Sequence, residues 1–153
     1  MNTVGFHLWL NPGKFSQNMN SIRLAPFLVI LLLASCAVLR PTPVSENPAV
    51  LGLMEQARAD SAENKLQTAV AGIERALRIE PRNPWLWQEL ARLHLAQGDH
   101  AQAESLAARS TSWAGSDAAL RAANWRLIAA ARSARGDVDG AQAASARAAE
   151  LER

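Results

Sequence analysis

The chain has 153 residues, 49% hydrophobic and 20% charged, with a formal net charge of +2 at pH 7, which suits one modest domain plus an extra segment at one end. The positive excess is terminal: Lys14 and Arg23 are the only charged residues before Arg40, so removing everything ahead of Cys36 leaves fourteen basic and fourteen acidic residues. A balanced chain lacks the basic face that displaces counterions from a phosphate backbone, which sets nucleic-acid binding aside.

Residues 1–18 are polar and irregular, with Asn11-Pro12-Gly13 as a turn signal. From Met19 the pattern changes. Met19-Asn20-Ser21-Ile22-Arg23 is a short positive segment, and Leu24 to Leu33 is an almost unbroken apolar run, the pattern of a secretory signal. Residues 1–18 are therefore read as an upstream extension, with translation expected to start at Met19 and the signal to occupy 19–35. The alternative is one long n-region starting at Met1.

The apolar run closes in Leu33-Ala34-Ser35-Cys36, which resembles the lipobox of bacterial lipoproteins. The resemblance implies cleavage just before Cys36, a thioether-linked diacylglycerol on its thiol, and acylation of the new amine by a fatty acid such as palmitate. Cys36 is the only cysteine, so an intramolecular disulfide is excluded. The competing reading is a transmembrane helix from Leu24 to Leu39, but sixteen residues fall short of the about 20 a span needs. Ala37, where an Asp would resemble an inner-membrane retention signal, points to the outer membrane, facing the periplasm. Residues 36–48, with Pro41, Pro43 and Pro48, read as the lipidated cysteine followed by an extended, flexible tether.

From Ala49 to Arg153 the pattern is helical. Leu66, Ala69, Val70, Ile73, Ala76 and Leu77 follow one apolar helix face. Asn83 can cap a helix and Pro84 fits its first position; Gly98 supplies a left-handed stop, and Asp99 is expected to cap the next helix. The product is a helical hairpin, which cannot bury its apolar face alone.

The run Ala69-x-x-x-Ile73-x-x-Ala76-Leu77-x-x-x-Pro81 resembles the second helix of a tetratricopeptide repeat. Aligning the small residue at the helix crossing gives Ala69, Ala103 and Ala141, at intervals of 34 and 38 residues. The first interval is the family period, and the second predicts about four inserted residues in the connection around Ser112 to Asp117, with Ser116 capping the next helix. First helices carry a bulky residue at Leu53, Trp87 and Trp125 and a small one at Ala57, Ala91 and Ala129; turns fall at Asn64, Gly98 and Gly136. The resemblance implies an all-α fold of about three hairpins, 50–83, 84–117 and 122–153, in a short right-handed superhelix spanning 49–153. Asp60, His94 and Arg132 stand where the family packs an aromatic, and Ala107 and Ser145 where it packs a large apolar residue. A thin, alanine-rich core is the expectation, with the face of the last helix, Val138 to Leu151, open to a partner or to a second copy.

In this family the first helix of each hairpin lines a concave groove that binds extended peptides or partner helices. Carried over residue by residue, the groove positions are Leu51, Met54 and Arg58, then Trp85, Gln88 and Arg92, then Ala123, Arg126 and Ala130. Arg58, Arg92 and Arg126 would form a ladder suited to carboxylates, unless they solvate the helices and pair with Glu55 or Glu89. Trp85 would be an anchor. His94 and His100 give no metal motif, and no nucleophile elbow, phosphate loop or supported acid pair occurs. The expectation is a non-enzymatic, cofactor-free lipoprotein scaffold binding another envelope protein. Self-association, regulation of peptidoglycan enzymes and pilus or secretin assembly stand as alternatives.

Overall fold

The computed structural model describes residues 44–153; the extension, signal, Cys36 and first part of the tether lie outside them. Six helices follow in order: α1 Pro48–Ala62, α2 Leu66–Ile79, α3 Pro84–Gln97, α4 His100–Trp113, α5 Ala118–Ala134 and α6 Val138–Leu151. None of these is long and apolar enough to cross a membrane. Each successive pair forms a hairpin, and α2 packs on α3, α4 on α5 and α3 on α5, so the three hairpins stack.

Their ends follow from local chemistry. Asn47 and Asn83 accept the first free amides of α1 and α3, with Pro48 and Pro84 at the first helical position. Asn64, Gly98 and Gly136 take positive φ at the hairpin turns, as expected. Two expected caps differ. Asp99 makes no side-chain bond to its helix, because its carboxylate lies 3.2 Å from His94 Nδ1. At α5 the cap is Asp117, accepting from Leu120 N at 2.9 Å, rather than Ser116.

The insertion also falls elsewhere. Connections 80–83 and 114–117 are equally long, whereas α5 has 17 residues against 14 in α3, and its turn, 135–137, is one residue longer than 98–99. The extra residues therefore lengthen a helix and its hairpin turn. A helix extension satisfies its own backbone bonds, which an enlarged loop would not.

The core is uneven. Val50, Met54, Val70, Ile73, Leu77, Leu86, Leu90 and Leu93 form one cluster across the first two hairpins, capped by half-buried Val44, Leu53, Leu66, Trp87 and Leu106. The second cluster has Ile128 as its one large, fully enclosed side chain, among Ala91, Ala107, Ala129 and Ala144, with Trp125 and Leu127 at its margin. Ala57, Ala91 and Ala129 are buried at the crossings, where a larger side chain would push the helices apart.

The last part of the expected tether is docked rather than free. Ser45 is buried and its Oγ donates to Glu80 Oε1 at 2.6 Å, while Asn83 Nδ2 donates to the Val44 carbonyl at 2.7 Å and to Glu80 Oε2 at 2.6 Å. Asn83 thus caps α3 with its oxygen and clamps the incoming chain with its nitrogen.

Candidate functional site

Between α1 and α3 lies a shallow depression lined by Arg58, Ser61, Ala62, Glu89 and Arg92. It brings together two of the expected groove arginines, one from each of two successive first helices. They are not equivalent. Arg92 Nη1 lies 2.9 Å from Glu89 Oε2, and Glu89 is only 7% exposed, so Arg92 neutralises a carboxylate that would otherwise be nearly buried and alone. Arg58 is exposed and makes no ion pair among the described residues. The depression therefore offers one uncommitted guanidinium, a second shared one, and the Ser61 hydroxyl.

The other expected groove residues are distributed differently. Met54 is 3% exposed and belongs to the first core cluster; it faces inward because its position on α1 aligns with Val50 and Ala57 on the buried side. Gln88 is half-buried, and its Nε2 donates to Asn124 Oδ1 at 3.0 Å, which commits the amide to packing α3 against α5. Trp85 lines a separate depression with Val44 and residues 80–84. Arg126 pairs with Glu152 near the chain end and borders a third depression, with Ala130, Val138, Ala141 and Ser145, between α5 and α6. The three-rung ladder therefore does not form: two arginines share a depression, and the third is engaged one hairpin away. Leu51 and Ala130 are exposed and Ala123 half-buried.

Sequence reasoning missed a buried polar junction. Asn124 is fully buried; its Nδ2 donates to Ser110 Oγ at 2.7 Å, and Ser110 Oγ donates to the Pro84 carbonyl at 2.8 Å. With Gln88, this network ties α3, α4 and α5 together. The signal in the sequence is the line Leu120-Asn124-Ile128, which puts a polar residue amid the apolar face of one helix. Arg132, expected in place of an aromatic, does bridge neighbours: its guanidinium holds Glu104 Oε1 at 2.8 Å and the Gly140 carbonyl at 3.2 Å, and Arg135 holds Glu104 Oε2 at 2.9 Å. Among the described residues no cluster of His, Cys, Asp and Glu could hold a metal ion.

Comparison with known proteins agrees with this architecture. The tetratricopeptide-repeat profile matches residues 53–124. The globular C-terminal domain of P. aeruginosa LpoP is similar at 42% identity over 98% of that chain and 68% of this one, with a TM-score of 0.66. The Sgt2 TPR domain from Aspergillus fumigatus gives 25% identity over 72% of that chain and 73% of this one, with a TM-score of 0.63. The first TPR of Spaghetti (RPAP3), bound to the HSP90 peptide SRMEEVD, shares the fold at 22% identity, over 85% of that chain and 72% of this one, with a TM-score of 0.62. No curated protein matches in sequence. By its repeated hairpins, its crossings and its likeness to these structures, the chain belongs to the tetratricopeptide-repeat family.

Proposed function

We propose that this protein is a lipid-anchored adaptor of the bacterial cell envelope, which captures an extended segment of another envelope protein on the face between α1 and α3. The observation that carries this reading is the pairing of exposed Arg58 with Arg92 across two successive hairpins. A guanidinium without an internal carboxylate is poised for a carboxylate on a partner, and paired charge-assisted bonds give such contacts direction. A related fold in the RPAP3 structure carries the peptide SRMEEVD, and the LpoP domain, at 42% identity, comes from a bacterium.

The anchor is the acylated Cys36 that follows the apolar run, and Ala37 after it favours the outer membrane, with the domain in the periplasm. Several acyl chains on one residue hold firmly, since each buried methylene contributes about 0.8 kcal/mol. The adaptor performs no chemistry of its own and needs no cofactor; purified protein that alters peptidoglycan unaided would overturn this. Metabolic labelling with palmitate tests the anchor: label should enter the wild-type chain and be absent from Cys36→Ser, and equal labelling of both would contradict it. Affinity capture tests the groove. Arg58→Glu should lose a captured envelope protein while far-UV circular dichroism stays unchanged, and retained capture would count against the assigned face.

A second reading is self-association. Val138 is 61% exposed beside the small-residue depression between α5 and α6, an apolar surface that a second copy could cover. Size measured over a range of concentrations decides it, because a persistent monomer excludes a homodimer.

A further inference from the structure

A second exposed patch lies at the opposite end of the hairpins from the turns, where α2 and α4 finish. Ile79 and Trp113 end these helices at 45% and 41% exposure, among the largest apolar side chains left open. Arg82, in the connection between α2 and α3, lies over the Trp113 ring at 5.3 Å, and Arg109, one turn before Trp113, lies over Trp87 at 4.3 Å. Arg78 adds a further exposed cation beside Ile79. The acid in the connection, Glu80, accepts from Ser45 and Asn83 and pairs with none of these arginines. Among the described residues Arg78, Arg82 and Arg109 make no ion pair, so the patch combines unpaired guanidinium groups with an exposed Trp and Ile, and Arg82 and Arg109 are held by the aromatic faces they cover.

The same connection receives the incoming chain, since Val44 is clamped by Asn83 at 2.7 Å. Cys36 lies eight residues earlier, so an acyl anchor there can be no more than about 28 Å from Val44 even with the chain fully extended. We infer that Arg78, Ile79, Arg82, Arg109 and Trp113 form a contact surface for an anionic phospholipid bilayer, which lays the domain on the membrane with its α2 and α4 ends down. This rests on the lipid anchor proposed above for keeping the bilayer within reach. Arginines near an anionic leaflet gain from its surface potential, and Trp favours the headgroup level. Docking of this end leaves the depression between α1 and α3 accessible at the side of the stack.

The test uses the full, acylated protein reconstituted into vesicles of phosphatidylcholine alone or mixed with phosphatidylglycerol, with bromine on the acyl chains near the headgroups. Trp emission should be quenched in the anionic vesicles, less in the neutral ones, and less again at high salt. Trp113→Phe should remove the quenched component, and Arg78→Glu with Arg82→Glu should abolish the lipid dependence at unchanged helicity. Quenching that is absent, or equal in both lipids and indifferent to the arginines, overturns the inference. The anchor is read separately, by vesicle flotation and by the mass of the Cys36 peptide. A chain that floats while Trp113 stays unquenched overturns the contact and leaves the anchor standing; an unacylated chain whose Trp113 is still quenched by anionic lipid supports the contact and overturns the anchor. Crosslinking from position 113 to an acidic protein, without quenching, would also overturn it.

Discussion

Arg58 and Arg92 occupy equivalent places one repeat apart, yet their surroundings give them different work, and stability measurements should separate them. Replacing Arg92 by Ala leaves Glu89 buried without its partner, a loss of about 1 kcal/mol after allowance for the exposed side of the pair. Arg58→Ala should change stability by less than about 0.5 kcal/mol, as an unpaired surface residue does. Urea denaturation of both variants checks the difference. Two of the three helical glycines, Gly72 and Gly140, make a sharper pair. A Cβ at Gly72 would meet Ala57 Cβ at 3.5 Å, an ordinary contact, so Gly72→Ala should gain about 0.5–1 kcal/mol from helix propensity. A Cβ at Gly140 would fall on the Asp137 carboxylate that caps α6. The loss of the cap, about 1 kcal/mol, then cancels the gain, and thermal melts should show a rise for Gly72→Ala and none for Gly140→Ala. Asn124→Ala should cost about 2–3 kcal/mol, because it orphans groups on Ser110 and Gln88 inside the fold.

At the scale of the elements, the hairpins were legible in the sequence because their punctuation is local. Pro84 behind Asn83, Gly98, Gly136 and the alanine crossings act through backbone geometry within a few residues, so the helix limits and turns could be read directly. What depends on distant neighbours could not. The engagement of Gln88 by Asn124 and of Arg126 by Glu152 is set by helix rotation and by residues far along the chain, 36 positions away for Gln88. The same holds for the insertion: a spacing of 38 counts extra residues without saying whether they extend a loop or a helix. The thin core was legible, since Ala107 and Ser145 stand in slots for large side chains. Its consequence belongs to α5 and α6, whose interior rests on Leu120, Ile128 and alanines. Amide hydrogen exchange should find α6 the least protected helix and α2 and α3 among the most, because local opening follows buried apolar contact. Uniform protection across all six helices would contradict that ordering.

For the whole molecule, the stack has two ends and a side, and each carries a different chemistry. One end receives the chain from Cys36 through the Ser45, Glu80 and Asn83 clamp. The last hairpin leaves a weakly apolar face on α6, and the side between α1 and α3 presents Arg58. An adaptor needs this separation, because its anchor and its partner must be engaged at once without competing for one surface. The clamp holds the chain from Val44 onward, so a tether in the proposed adaptor spans no more than residues 37–43. The most direct test places a photoreactive amino acid at Ala62, on the rim of the α1 and α3 depression, in intact cells, with an outward control at Ala71 on α2. A discrete envelope protein should crosslink from position 62 and disappear when Arg58→Glu is added, while position 71 captures nothing comparable. Equal capture from both positions, or capture from 62 that survives the Arg58 reversal, would contradict the adaptor and its assigned face.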